Sequence, residues 1–548
     1  DSTVNHGLIR DIYGQEHDVL AEGIQIIFTK SQFKLWSHYS SWEEYRELFK
    51  RHGCTAGKCN VEEDYIPNAQ FNYQMLQTLD DMTDEELEEL AAKTNDSILR
   101  VTSDRDTMLR VFGATKYNRN KNPFQECLYL YPELLQDAHS RDVLRSLKNK
   151  MIKDARGGRL DVKGKYLFLI PDLYAACQHW FLGEATPSGL LDDGEVYCRV
   201  YDGEPELDCL RSPHLYREHA VRRNVCGERL ECKRWFQTDA IYTSSFDTIS
   251  KILQFDVDGD KSLVCAEPVI LRAAKRNCQD IVPLYYEMAK APAHVVDAAG
   301  MYKGMEAAYT GGAIGPISNS ISKIWNSGVP DLDAIKLLCA QNNFIIDYAK
   351  TLYKPTPPQE IEEQIKSASH GKVPHFFVYA KDKEEWQVEP ANGSVVNRLE
   401  KIIINPNLRF SAESLGKLDY RMLMCDPDTE VTAEDKPLLD LYYKLSKSVN
   451  YRMSDDGTKN NFNFVYHRVR RQLLETDPNI YHLTDVLVKQ LFHIRKAQRK
   501  TLFWECFGDV VLENLKENVD QNTIMCAKCG ARVLPSHRSQ IYCPSCAR

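Results

Sequence analysis

The spacing of apolar and polar positions changes several times along the chain, and each change predicts a different kind of element. Residues 1–40 read as strand-rich, because Ile24-Gln25-Ile26-Ile27-Phe28-Thr29 is a β-branched run bounded by Gly23 and a polar turn. From 41 to 155 the apolar residues recur at helical spacing. Thr83-Asp84-Glu85-Glu86 is a capping box, and Leu87, Leu90 and Ala91 follow on one face. A further helix is predicted over 132–156, ending at Gly157-Gly158. From about 159 the pattern shortens to strands: Tyr166-Leu167-Phe168-Leu169-Ile170, Val196-Tyr197-Cys198-Arg199-Val200 and Ala240-Ile241-Tyr242, separated by Gly, Pro and Asp turns. Short strands without βαβ alternation predict a β-barrel or sandwich core, so the fold class is α+β. Helical spacing returns after 267, pauses at Tyr353-Lys354-Pro355-Thr356-Pro357-Pro358, and dominates 433–520. There is no internal repeat and no low-complexity tail.

Composition narrows the classes. The 548 residues are enough for several domains, and 43% hydrophobic with 27% charged residues is ordinary for a soluble globular protein. A net charge of −9 argues against general polyanion binding, so any nucleic-acid contact must come from local basic patches. No window approaches 18 consecutive apolar residues, and the N-terminal segment lacks the basic-then-apolar secretory pattern. The first residue is Asp1 rather than methionine, which suggests processing or truncation. The 17 cysteines are mostly scattered singly among apolar neighbours, as in Leu338-Cys339-Ala340. That pattern implies a reducing compartment with free thiols and one metal cluster.

The cluster is Cys526-x2-Cys529 followed by Cys543-x2-Cys546. Two such knuckles complete a tetrahedral Zn²⁺ site with no open position, so the predicted zinc ribbon is structural. Its metal would supply the folding energy of a tail too short for a core of its own.

The other candidate site is Phe255-Asp256-Val257-Asp258-Gly259-Asp260. Carboxylates on alternate residues can face one way, and oxygen-only donors select Mg²⁺, Mn²⁺ or Ca²⁺. Two readings compete. In an EF-hand, Asp256, Asp258, Asp260, Ser262 and Glu267 would take loop positions one, three, five, seven and twelve. Against it, the glycine position is Lys261, the ninth is Val264, and no second hand appears. In nucleotidyl transfer, Mg²⁺ (or Mn²⁺) on the three aspartates would activate a ribose 3′-hydroxyl, with Arg211, Arg217, Arg222, Arg223 and Lys261 as candidates to hold phosphates. A solvated acidic turn is the bland alternative. The basic run His493-Ile494-Arg495-Lys496-Ala497-Gln498-Arg499-Lys500 would either track a phosphate backbone or form a solvated helix face. Gly311-Gly312-Ala313-Ile314-Gly315-Pro316 lacks the lysine and spacing of a P-loop and reads as a hinge. The histidines show no ligand spacing.

The aspartate segment resembles the catalytic signature of the two-barrel RNA polymerases, among them the gene-silencing RNA-dependent RNA polymerases and their single-chain phage and bacterial relatives. Leu210-Arg211-Ser212-Pro213-His214-Leu215-Tyr216-Arg217 is similar to the Arg-x-Pro segment that precedes the aspartates there. Ile170-Pro171-Asp172, Gly189-Leu190-Leu191 and Gly194-Glu195-Val196 resemble the opening of the catalytic barrel. Asp347-Tyr348-Ala349-Lys350-Thr351 resembles a segment after the catalytic core, and Tyr65 to Thr78 the helical connector. The Cys₄ tail fits the phage or bacterial branch.

The resemblance implies two facing double-psi β-barrels. Part of the first would lie in 1–40, a helical connector in 41–158, and the second barrel with the catalytic aspartates in 159–270. A helical, bridge-like region (271–432), a helical C-terminal region (433–522) and the zinc ribbon (523–548) would follow. It implies Mg²⁺ on Asp256, Asp258 and Asp260, with Lys34 and Arg211 on the phosphates and Arg10 in place of a second barrel-one lysine. Arginine holds a phosphate but is the poorer proton donor. The expected activity is template-dependent RNA polymerisation, on RNA or DNA, from nucleoside triphosphates, in the cytoplasm of a bacterium or phage-infected host. The alternative is a non-catalytic Ca²⁺-binding or nucleic-acid-binding protein with a zinc ribbon. Template choice, primer dependence and protein partners are not written in the spacing.

Overall fold

The computed structural model describes residues 7–30, 32–33, 35–57, 65–211, 215–279, 284, 289, 297–310, 312, 314–351, 353–455, 462–493, 499–522, 524–525, 527–528, 532–533, 540–542 and 546. They fall into two compact units, one of residues 1–94 with 154–403 and one of 95–153 with 404–548.

The first unit is built on a closed six-stranded barrel. Its strands are β1 (Gly164–Pro171), β2 (Glu195–Tyr197), β3 (Glu206–Leu210), β4 (Ala220–Asn224), β5 (Ile241–Thr243) and β6 (Lys261–Cys265). Around the barrel they run β6-β1-β5-β2-β4-β3 and back to β6. The pairs β1–β5 and β2–β4 are parallel and the other four antiparallel. Alternation explains the arrangement: Leu167 and Leu169 of β1 point inward with Val196, Leu207, Cys209, Ile241 and Val264. The outer face carries its own core, where Tyr197 and Tyr242 pack against Leu190, Leu191 and Phe236.

Two of the three motifs expected at the barrel's opening have a structural reason. The buried Asp172 carboxylate accepts from Tyr174 N–H (3.0 Å) at the start of helix Leu173–Leu182 and from Leu191 N–H (3.0 Å) across the turn. Gly189 sits at φ +65° with its α-carbon turned to that carboxylate; a Cβ there would lie 2.4 Å from Asp172 Oδ2. A side chain at Gly189 would therefore displace the Asp172 carboxylate.

The strands called for at 166–170, 196–200 and 240–242 are present, the second shortened to 195–197 before a 3₁₀ turn. Residues 1–40 depart from expectation. The strands described there are the short pair Leu8–Arg10 and Glu16–Asp18. Ile24–Thr29 forms no strand; Ile26 and Phe28 are more than half exposed. A β-branched run becomes a strand only when a second strand completes its hydrogen bonds, and no described residue does so.

The second unit is helical, as the spacing predicted. Helices Pro123–Leu130, Ile480–His493 and Lys500–Asn522 bury Leu128, Val486, Leu487, Phe503 and Phe507 in one large core. Lys500, expected in a basic face, is instead fully buried: it pairs with Asp137 and lies 4.1 Å from the centre of the Phe492 ring. Residues 494–498 of that run lie outside the described residues.

The capping box forms as read. Thr83 N–H donates to Glu86 (3.0 Å) and Glu86 N–H to Thr83 Oγ1 (3.2 Å), at the start of helix Asp84–Val101. Thr83→Ala should lower stability by about 1 kcal/mol, read as a shift in urea midpoint.

Candidate active site

β6 emerges from the barrel at Lys261, and the aspartate loop is the turn that feeds it. Helix Ile249–Leu253 ends at Gln254, whose φ of +51° is left-handed, and the chain then runs through Asp256, Asp258, Gly259 (φ +127°) and Asp260 into the strand. Asp256 and Asp258 are exposed and Asp260 half-buried. The end of the loop is fixed by the Leu169 N–H, which donates to the Asp260 carbonyl (3.0 Å).

Arg211 ties the loop together. One guanidinium nitrogen lies 3.1 Å from Asp260 Oδ2 and another donates to the Gln254 carbonyl. The Asp256 N–H donates to the same Asp260 carboxylate (3.0 Å). From helix Leu332–Ile346, the Asn343 amide donates to Gln254 Oε1 (3.1 Å). A chain of contacts thus runs Asn343, Gln254, Arg211, Asp260. The strain of a left-handed glutamine is held by hydrogen bonds at both its ends.

The three aspartates share one five-residue loop, but their carboxylates do not converge. Among the described residues no three His, Cys, Asp or Glu side chains are grouped to hold a metal. Asp260 is turned to Arg211 and the Asp256 N–H. The donor chemistry, three carboxylates on a glycine turn with two of them exposed, is that of a hard cation such as Mg²⁺, Mn²⁺ or Ca²⁺. The arrangement is one in which Arg211 is the counter-ion.

The EF-hand register fails in its second half. Lys261 to Cys265 is a strand bonded on both sides, Ser262 Oγ donates to the Leu210 carbonyl (3.0 Å), and Glu267 accepts from Lys93 (2.6 Å) and from Lys163 N–H (2.8 Å). These side chains cannot turn back to a cation at Asp256.

The other arginines expected to hold phosphates are engaged elsewhere. Arg222 pairs with the buried Asp247, Arg217 with Asp80, and Arg223 with Glu195 and Glu228. Lys261 lies 4.5 Å from the centre of the Phe168 ring. Of the expected Zn²⁺ ligands, Cys526, Cys529 and Cys543 lie outside the described residues, as does Lys34; Cys546 is described and half-buried. Arg10 is exposed on the strand Leu8–Arg10.

Beside the loop is a cavity of about 340 Å³ lined by Arg211, Glu218, Asp256, Asn342, Asn343 and Asp347. Sequence reasoning singled out neither Glu218 nor the two asparagines. Asn342 Oδ1 is buried with no hydrogen-bond partner among the described residues. Glu218 is buried and accepts from the Leu284 N–H. Burial pushes its carboxyl up from 4.5 to about 7. Between those two values the folded chain keeps a proton that the unfolded chain has released. Stability contributed here therefore falls as pH rises through that window and is flat above it. Glu218→Gln keeps an acceptor for Leu284 and removes the charge. It should be neutral at pH 4 and stabilising by on the order of 3 kcal/mol at pH 8, compared by urea denaturation at the two pH values.

Over 543 residues, 99% of this chain, the sequence is 46% identical to the DNA-directed RNA polymerase YonO of Bacillus phage SPbeta, and the chain spans 63% of that protein's length. The structure of the RNA dependent RNA polymerase QDE-1 from Thielavia terrestris aligns with 83% of this chain and 57% of its own, at a TM-score of 0.48 and 14% identity. No family model matches.

Proposed function

We propose that the chain is a template-dependent RNA polymerase of the single-chain two-barrel type. The observation that carries this reading is the 46% identity, sustained over 99% of the chain, to a protein named as a DNA-directed RNA polymerase. The site is consistent with it: three aspartates leave the mouth of a closed barrel beside an arginine and a cavity. In this reading the 159–270 barrel is the double-psi barrel that carries the aspartates. The facing barrel would lie partly in 1–40, and the helical connector, bridge-like region, C-terminal helices and zinc ribbon would keep the boundaries given above.

Asp256, Asp258 and Asp260 would hold Mg²⁺ or Mn²⁺, which when bound lowers the pKa of the transcript 3′-hydroxyl and neutralises charge on the triphosphate. Arg211, now paired with Asp260, would give up that carboxylate and turn to the phosphates, with Lys34 a second phosphate ligand. Asn343 would keep hold of the Gln254 side chain, about which the loop's entry adjusts while Arg211 moves. The partners are a template strand, nucleoside triphosphates and the RNA product, and the setting is the cytoplasm of a bacterium or phage-infected host. Among the described residues no helix is long and apolar enough to cross a membrane.

The deciding experiment is extension on matched DNA and RNA templates, with and without primer. Ribonucleotide incorporation on the DNA template that requires Mg²⁺ or Mn²⁺ supports the reading. A folded chain that binds the templates and incorporates nothing on either would sink it. For the tail, Cys526, Cys529, Cys543 and Cys546 should hold one Zn²⁺ per chain by elemental analysis, and Cys529→Ser should release it.

A further inference from the structure

The second unit has more Lys and Arg than Asp and Glu, so the chain's negative charge lies on the first. Within it is a cavity of about 640 Å³ whose lining includes Arg141, Lys417, His493, Phe410, Tyr420 and Asp137. Arg141 is half-buried and lies 4.7 Å from the centre of the Phe410 ring. It donates to Gln136 Oε1, and Gln136 in turn donates to the carbonyls of Ser411 (3.2 Å) and Gly416 (3.3 Å). The guanidinium is therefore held in place by a neutral amide and an aromatic face. Its Nε is buried without a hydrogen-bond partner.

Among the described residues, none of Arg141, Lys417 and His493 has a carboxylate within ion-pair distance. The acid in the lining, Asp137, is already matched by the buried Lys500. A half-buried cation without a counter-charge is costly, and an anion that enters the cavity relieves that cost. The Phe410 ring stands beside Arg141 and Tyr420 shares the lining, which suits a ligand with both charged and flat apolar parts.

We infer that this cavity binds a single nucleic-acid strand, with Arg141 and Lys417 on successive phosphates, His493 at the edge and the aromatic wall against the bases. The strand's origin, template or transcript, rests on the polymerase reading; the binding itself does not.

The test is equilibrium binding of a fluorescein-labelled 12-nucleotide single strand to the full chain, without Mg²⁺ or nucleotides, over a range of salt. Catalytic failure then leaves the result untouched. Arg141→Met with Lys417→Gln should weaken binding at least tenfold. It should also flatten the slope of log K against log salt by about 1 to 1.5, two phosphate contacts at roughly 0.7 each. Lys417→Glu, at an exposed position, should weaken binding with an unchanged circular dichroism spectrum, which guards against a misfolded Arg141 variant. Arg421→Gln, whose arginine is exposed and paired with Asp419, should change neither quantity. Wild-type affinity and slope in the double variant and in Lys417→Glu would overturn the assignment. So would equally tight binding of an acidic peptide of the same length.

Discussion

Asp258→Ala is expected to lower nucleotide incorporation by about 10³-fold or more while leaving stability within about 0.5 kcal/mol of wild type. The two halves of that expectation come from different facts. Asp258 is exposed at the tip of the loop, away from the barrel's core, so its methylene and carboxylate contribute little to folding. In the polymerase reading it is one of three oxygens on the metal, and losing one leaves developing charge on the phosphates unmatched. Asp260→Ala is a poorer probe. It would also free Arg211 and the Asp256 N–H, so lost activity could not be separated from a rearranged loop. Single-turnover incorporation with saturating Mg²⁺, set beside a thermal melt, reads both halves. An Asp258→Ala protein that melts normally and still extends a primer at wild-type rate would contradict the assigned role.

The largest expected loss of stability is at Asp247. Its side chain is 1% exposed and forms a two-pronged pair with Arg222, at 2.5 and 2.8 Å. It also accepts the Ile249 N–H (2.9 Å) at the start of the short helix leading to the aspartate loop. Asp247→Ala leaves a half-buried guanidinium without its counter-charge and should cost about 3 kcal/mol. The urea midpoint should fall with little change in slope. The double change Asp247→Leu with Arg222→Met removes both charges and should recover most of the loss. If the double variant is no more stable than Asp247→Ala, the unpaired charge is not the cause.

Much of the fold was legible because its signals are local. Thr83 and Glu86 are three residues apart, and Leu167 with Leu169 shows its period within one strand. The aspartate loop was legible for the same reason. The arginines misled because a sequence displays a charge and not its partner. Arg217 finds Asp80 from 137 positions away, Arg222 finds Asp247 from 25 and Arg223 finds Glu195 from 28. Each looked available for phosphate until the fold brought its carboxylate. Glu218 was invisible for the converse reason: nothing near it in sequence marks it as buried. Lys500 combines both cases, a basic residue in a basic run that the fold takes into a core beside Asp137. Ile24–Thr29 has a strand's composition but no neighbouring strand among the described residues.

Because the barrel is closed, β6 has a neighbour on each side and its register is locked by two ladders at once. The loop's two attachments are therefore unequal. At Lys261 it is moored to a strand that cannot slide without opening the whole barrel. At Gln254 it hangs from a five-residue helix that ends in a strained turn. Any adjustment the aspartates make to an arriving ligand will be absorbed upstream, with Gln254 as the pivot and Asp260 as the fixed point.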